Sequence, residues 1–436
     1  MKKIILLTFL PFTVLADCLP SETANLTHIE HSRIIAGDYD FNDIIEHGKM
    51  LFTTKANACD GLGRPATTGS GEKREAIQPS YTRISGPDSN TCSGCHAQQK
   101  IGGSGDFVAN VFVLVQTKDP ILTSIAGDES NERNTLGMWG SGSIEMLARE
   151  MTEELQSKSK TLPDGIFEIK AKGIEFKIEK QNGKVVKAWG VDPDLVIKPF
   201  HQSCVVVSLR QFTVQAFNHH HGLQAEERFY EDFDEDGIDR ELTTGDITAT
   251  TLWQANLLNP KQVLPKNTEE LNQVKNGEKL FNEIGCSSCH LPSLTLKSKT
   301  FTEPNPYNPP QFFSDKNQSY SFELQSNKVK AYTDLKRHNL CDPIDQKGAI
   351  RFFCNEKLDQ NRPDQDGNPG SEYFITRKLW DVGDSAPYGH RGDLSTISEA
   401  IEYHGGEGRK SRDKFVELFI IEQKSIISFL KTLRSR

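Results

Sequence analysis

The sequence predicts a mainly α fold, two similar helical domains with a small β-containing insert between them. Three observations carry this expectation. The motif C-x-x-C-H occurs twice, as Cys92-Ser93-Gly94-Cys95-His96 and as Cys286-Ser287-Ser288-Cys289-His290. Each copy follows a G-x-x-L-F pattern, Gly48 to Phe52 and Gly277 to Phe281, so the repeated unit is larger than the motif itself. Between the copies, Ile174 to Gly190 alternates apolar and charged residues around Gln181-Asn182-Gly183, the pattern of a β-hairpin.

The elements follow in chain order. Met1 to Ala16 has a short basic start, an apolar run from Ile4 to Leu15 and a Val14-Leu15-Ala16 cleavage pattern, which reads as a signal peptide. Asp17 ends the apolar run short of the roughly 17–25 residues that a membrane span requires. The mature chain is therefore expected in the periplasm as a soluble protein without a span. Residues 17–160 form the expected N-terminal domain, in which a Gly/Pro/Ser-rich loop from Cys59 to Asn90 separates the first G-x-x-L-F pattern from its cysteines. Phe107 to Val115 is strand-like and Ile144 to Leu155 is helical. Residues 161–265 connect, with the hairpin, a strand-like run from Cys204 to Leu209 and a His-rich segment. Residues 266–436 form the C-terminal domain, with a long loop from Thr302 to Asn327 and a closing helix from Phe415 to Leu433. Loss of the signal takes the formal charge from −9 to −11, an acidic balance that argues against nucleic acid as a partner.

The two pentapeptides state a chemistry. Two thiols one turn apart can add to the two vinyl groups on one porphyrin edge, while the next residue turns its imidazole under the iron. A dithiol redox pair has no need of the following His, and a zinc site needs further matched ligands nearby. The reading is two covalently bound haem c groups in two cytochrome c-like domains, held by Cys92, Cys95 and His96 and by Cys286, Cys289 and His290.

Inventory narrows the remaining iron ligands. The methionines are Met1, Met50, Met138, Met146 and Met151, so a thioether ligand for the second haem cannot come from its own domain. His338, His390 and His404 are the downstream histidines, and His404 lies just before the closing helix, where a distal loop belongs. For the first haem no His occurs between His96 and His201. Met138, Met146 and Met151 are local alternatives, and an open iron is the other. An open iron binds small ligands such as peroxide, whereas a six-coordinate one mainly passes electrons.

At this point the residues resemble the bacterial di-haem oxidoreductases, the di-haem peroxidase or thiol oxidoreductase branch of the di-haem cytochrome c peroxidase and MauG superfamily. The resemblance rests on Asp60-Gly61-Leu62-Gly63, Ile101-Gly102-Gly103, Glu132-Arg133-Asn134-Thr135 and Asn218-His219-His220-His221-Gly222. It continues through Asp334-Leu335-Lys336-Arg337-His338, Ala386-Pro387-Tyr388-Gly389-His390-Arg391-Gly392 and Glu399-Ala400-Ile401-Glu402-Tyr403-His404-Gly405-Gly406-Glu407. It implies a substrate-facing N-terminal haem and an electron-transfer C-terminal haem with His404 on its iron, where relatives place Met or Tyr. It also implies that Trp139 falls near the position of the family's tryptophan between the haems and could itself relay electrons, the alternative being a core tryptophan. The chain departs from the family in two ways. Asn110 to Asn134 contains no distal His, and the catalytic Glu has no clear counterpart, which leaves Glu145, Glu150, Glu153 and Glu154 as candidates.

The run His219 to His221 could supply a distal ligand or an acid/base group at the first haem, with His220 as the acid/base candidate; hydrogen bonding among neighbours is the alternative. Asp232, Asp234 and Asp236 begin like a calcium loop, although Thr243 stands at the twelfth position instead of Glu. Calcium or a solvated acidic turn are the two readings. Of the other cysteines, Cys341 with Cys354 and Cys18 with Cys59 are candidate disulfides, and Cys204 is expected as a buried free thiol. The expected function is a periplasmic, peroxidase-like di-haem oxidoreductase fed by a redox donor protein or quinone-linked cytochrome. A plain electron-transfer cytochrome and a MauG-like modifier of proteins are the alternatives.

Overall fold

The computed structural model describes residues 22–63, 87–106, 108–110, 132–229, 232, 236–342 and 373–434. The expected signal segment 1–16, Cys18, Cys354, Asp234 and most of the Gly/Pro/Ser-rich loop lie outside them, as do residues 111–131. Among the described residues helix exceeds strand, 37% against 16%, a mainly α composition.

Helices α1 (His31–Ala36) and α2 (Phe41–Thr53) open the fold. The start of α2 is fixed by a capping box in which Asp40 accepts from the Asp43 N–H and Asp43 accepts from the Asp40 N–H. A short ribbon pairs β1 (Val108–Asn110) with β2 (Glu132–Asn134), and α3 (Ser141–Lys160) follows. The strand-like run beginning at Phe107 is thus a strand at 108–110, and the helix expected over 144–155 extends at both ends. A three-stranded antiparallel sheet orders β3 (Gly165–Ala171), β4 (Ile174–Gln181) and β5 (Lys184–Trp189) side by side. The β4–β5 turn is the expected one, with Asn182 and Gly183 both at positive φ, 52° and 74°. One face of β4 (Ile174, Phe176, Ile178) enters the core against Leu147, Met151 and Leu155 of α3.

The run from Cys204 to Leu209 is not a strand. It makes one isolated bridge, Phe200 to Val206, and then Ser208 caps α4 (Leu209–Ala216) by accepting from the Gln211 N–H at 3.0 Å. A hydroxyl placed to cap outweighs the β preference of three valines. One π-turn, Phe217–His221, ends that helix. Helices α5 (Thr244–Ala255) and α6 (Thr268–Glu283) follow, flanking β6 (Lys261–Gln262). The expected loop from Thr302 to Asn327 is partly ordered as strand. Its ends pair as β8 (Thr300–Glu303) with β9 (Tyr320–Glu323), because Phe301 and Phe322 face each other in register. Small ribbons join β7 (Leu294–Thr295) to β10 (Lys328–Val329) and β11 (Arg337–Asn339) to β12 (Tyr373–Ile375).

The chain ends with α7 (Ile397–Glu402), α8 (Arg409–Glu417), α9 (Ile420–Leu430) and β13 (Leu433–Arg434), which pairs with β6. The single closing helix expected over 415–433 is therefore two. Leu418 and Phe419 are extended (ψ 150° and 148°), and Glu422 restarts the helix by accepting from the Phe419 N–H at 2.9 Å. Among the described residues no helix is long and apolar enough to cross a membrane.

The repeated G-x-x-L-F pattern has one packing explanation in both places. A methyl group at Gly48 of α2 would overlap the backbone of Ala249 in α5, and one at Gly277 of α6 would overlap the Ser425 carbonyl in α9. Each glycine thus lets two helices approach to backbone contact. The Leu and Phe of each copy, Leu51 and Phe52, Leu280 and Phe281, are buried beside it.

Candidate haem-binding site

Each C-x-x-C-H motif folds as one 3₁₀ turn, Cys92–Gly94 and Cys286–Ser288. The turn closes when the His N–H donates to the carbonyl of the first cysteine, His96 to Cys92 at 2.9 Å and His290 to Cys286 at 3.0 Å. The preceding phenylalanine stands near each imidazole, with Phe52 to His96 at 6.1 Å and Phe281 to His290 at 6.4 Å between ring centres. Both imidazoles are oriented in the same way. His96 Nδ1 bonds to the Leu136 carbonyl at 3.1 Å and His290 Nδ1 to the Tyr332 carbonyl at 3.0 Å, which sets Nε2 as the metal-binding nitrogen. Burial pushes both imidazoles down to about 4, so both are neutral, the form that binds iron.

The four cysteines are unbonded thiols. Burial pushes Cys92 and Cys286 up to about 12, and raises Cys95 as well. A dithiol redox pair requires the opposite, a lowered thiol pKa. Paired neutral thiols followed by an anchored neutral imidazole suit covalent haem attachment, so the donor set fits two haems.

His404 faces His290 with ring centres 6.4 Å apart and planes at 62°. An imidazole–metal bond of about 2.0–2.1 Å, with roughly 1 Å from nitrogen to ring centre on each side, calls for a separation of about 6 Å. His404 Nδ1 bonds to the Ala400 carbonyl at 2.8 Å, and burial lowers its pKa. The loop behind it is held by two carboxylates. Glu407 accepts from His338 at 2.7 Å and from the Asn339 N–H at 2.9 Å, while Asp342 accepts from the Gly406 N–H and pairs with Arg409. His338 is a structural cation. Burial alone would lower its pKa, but its hydrogen bonds to Asp334, Cys289 and Glu407 raise it to about 12. Cys289, Asp334 and His338 lie close enough to suggest a metal cluster, but Cys289 belongs to the attachment motif.

The histidine run lies on the cysteine side of the first motif. His221 comes within 3.4 Å of Cys92 Sγ and bonds through Nδ1 to the Ser89 carbonyl at 2.5 Å. His220 bonds to Asp88 at 3.1 Å and lies near enough for its charge to act on His96. Sequence reasoning put forward the run His219 to His221, with His220 as its acid/base candidate, and did not tell which of the three stands beside Cys92; the π-turn that rotates the run has no sequence signature.

The carboxylate candidates are structural ties. Glu145 is fully buried and accepts from Arg149, from Asn305 Nδ2 at 2.8 Å and from the Leu209 N–H at 2.8 Å. Glu150 accepts from the N–H groups of Lys297 and Ser298 and pairs with Lys172. Glu154 bonds Lys297 Nζ at 2.9 Å, and Glu153 is exposed. Met146 and Met151 are core residues, and Met138 is half-buried. Trp139 is half-buried, with an indole N–H that is enclosed and unpartnered. Beside it, Lys378 Nζ donates to the carbonyls of Gly137 and Trp139 at 3.0 and 3.2 Å and stands over the Trp380 ring. His390 contributes its carbonyl to the Asn134 N–H at 2.9 Å, so two of the sequence motifs meet there.

At the acidic loop, Asp232 accepts from the N–H groups of Asp236 and Gly237, and Asp236 accepts from that of Ile238. Asp234 lies outside the described residues. Cys59 and Cys341 are disulfide-bonded, with partners outside the described residues. Cys204 is a buried free thiol raised by burial.

Residues 261–433 match the family model described as "Di-haem oxidoreductase, putative peroxidase". The family resemblance seen in the motifs therefore holds over the C-terminal part, and the match supports an oxidoreductase role with haem as the implied cofactor. Hydrazine synthase of Kuenenia stuttgartiensis, in a xenon-pressurised structure, is similar at 12% identity and a TM-score of 0.37, over 99% of this chain and 100% of that one. A MauG-like protein associated with microbial copper homeostasis is similar at 14% identity and a TM-score of 0.29, over 68% and 90%. Likenesses this distant say nothing of chemistry. No curated protein matches the chain.

Proposed function

We propose that this chain is an exported, periplasmic di-haem c-type oxidoreductase of peroxidase type, which reduces a small oxidant such as peroxide with electrons from a redox donor protein or quinone-linked cytochrome. The observation that supports it most is the His290–His404 pair at 6.4 Å, which suits a closed electron-transfer centre. Haem would supply reversible one-electron storage at that centre and, at His96, an iron position where the oxidant binds. Residues 17–160 would hold the first haem through Cys92, Cys95 and His96, and residues 266–436 the second through Cys286, Cys289 and His290. The Leu136 and Tyr332 carbonyls keep each proximal imidazole in one tautomer and raise its basicity. His404 would hold the second iron opposite His290. His220, leaning on Asp88, is the candidate to accept or give a proton at the first. Glu145 and Glu150 are assigned no catalytic part, since protein donors occupy their carboxylates.

Optical and EPR spectra of the purified ferric holoprotein, with and without peroxide, test this. One high-spin and one low-spin signal, the former lost with peroxide, is the expected result. Two low-spin signals indifferent to peroxide, even after partial reduction, would leave an electron-transfer cytochrome. An open haem that turns over no small donor would favour a MauG-like modifier. Metal analysis of the same sample checks the acidic loop, where calcium is expected only if Asp234 completes the set with Asp232 and Asp236.

A further inference from the structure

We infer that the α8–α9 junction is the docking surface for a small acidic electron-transfer protein; this rests on the reading that His290 and His404 hold a haem. Four large apolar side chains are exposed together there, Val416 at 50%, Phe419 at 79%, Ile420 at 67% and Ile421 at 63%. They are the outer face of elements whose inner face is core. Phe415 of α8 and Ile426 and Phe429 of α9 are buried in the cluster that packs against Cys286.

Helix α8, which leads into the patch, lies against the C-x-x-C-H motif. A methyl at Gly285, the residue before Cys286, would lie 3.1 Å from Ser411 Oγ of α8, and the charge of Lys414 acts on Cys286. An electron arriving at this surface would therefore enter from the side of the Cys286 motif.

Charge identifies the occupant. The chain as a whole carries −9, but residues 409–434 hold seven Lys and Arg against three Asp and Glu. Lys410, Lys414 and Lys424 flank the apolar residues, are exposed and make no ion pair among the described residues. A cationic rim around an apolar centre attracts an anionic partner and orients its approach. The area fits a brief encounter. At roughly 150–250 Å² for a large aromatic and somewhat less for the aliphatic side chains, the patch offers about 500 Å², near the per-partner share of transient redox complexes. A second copy of the chain would bring the same lysines together. A lipid surface needs a helix with a long apolar face turned outward, and the apolar face of α9 is already spent on the core.

The test uses reduced flavodoxin, an acidic one-electron carrier, mixed with the ferric holoprotein in stopped flow. The flavin loses one electron as the ferric iron of the His290/His404 haem gains one. The expected rate falls at least about tenfold as salt screens the attraction. In the K410E/K414E/K424E variant it is about tenfold lower at low salt and rises with added salt. Phe419→Ser with Ile420→Ser slows transfer several-fold at every salt concentration. Rates equal to wild type in both variants overturn the proposal. So does Phe419-dependent pelleting with phosphatidylglycerol vesicles, or Phe419-dependent dimerisation, accompanied by unchanged flavodoxin rates. Haem content, the low-spin spectrum and dithionite reduction of each sample show whether the second haem is intact. Their failure in wild type would defeat the haem assignment itself, a different result from an intact haem that flavodoxin reaches equally well without the patch.

Discussion

His404 is the residue on which the electron-transfer reading turns, and substitutions there separate ligation from packing. His404→Met is expected to raise the midpoint potential of that haem in a redox titration, because thioether ligation favours the ferrous state. His404→Gly is expected to convert its low-spin EPR signal to high-spin. A second residue-scale prediction concerns Glu303. Burial raises its carboxyl to about 7, against the opposing pull of Arg210, and the charge of Glu145 raises it further. One oxygen pairs with Arg210 at 3.0 Å while the other is buried without a partner. The folded state therefore binds this proton more tightly than the unfolded state. The associated stability is complete below the usual Glu pKa and is lost as pH rises through about 7. Urea denaturation at pH 5 and pH 8 is expected to show a larger drop for wild type than for Glu303→Gln.

At the scale of elements, the repeated glycines matter more than the repeated hydrophobics. Gly48 and Gly277 each sit where a neighbouring helix brings its backbone against the Cα, at Ala249 and Ser425. Gly48→Ala and Gly277→Ala each improve helix propensity but overpack the crossing. The net expectation is a loss of about 1–3 kcal/mol for either, read as a lowered thermal midpoint. A change to the haem spectrum is expected for the same motif's half of the chain only, because Phe52 and Phe281 beside the two proximal histidines shift with their own helices.

At the scale of the whole molecule, one short segment ties the surroundings of both proximal histidines together. Lys378 Nζ donates to Gly137, next to the Leu136 carbonyl that orients His96. The Leu379 N–H donates at 2.9 Å to Ala331, next to the Tyr332 carbonyl that orients His290. Burial pushes Lys378 down to about 7, so it serves here as much by hydrogen bonding as by charge. Lys378→Met leaves two carbonyls without their donor, a loss of about 1–3 kcal/mol per buried group. It is expected to perturb the EPR signals of both haems at once, whereas a purely local role would move only one. Lys378→Arg is expected to recover part of the effect.

The sequence by itself singled out the candidate attachment residues, because covalent chemistry demands two thiols and an imidazole at fixed spacing and almost nothing else satisfies it. The hairpin at Asn182-Gly183 was equally legible, since its turn residues and strand period are local. The repeated G-x-x-L-F pattern marked two equivalent helices, but that its glycine serves a helix crossing is a fact about a partner far along the chain. The His-rich run shows the limit: composition drew attention to His220, and only the π-turn after α4 set His221 against Cys92. Glu145 and Glu150 looked free for chemistry until tertiary contacts supplied their partners, 64 and 147 residues away. The division of the last helix, which leaves Phe419 to Ile421 outside, likewise depends on which face the core already occupies. What is covalent or local can be read along the chain; what depends on a distant neighbour's backbone or charge was decided only by the fold.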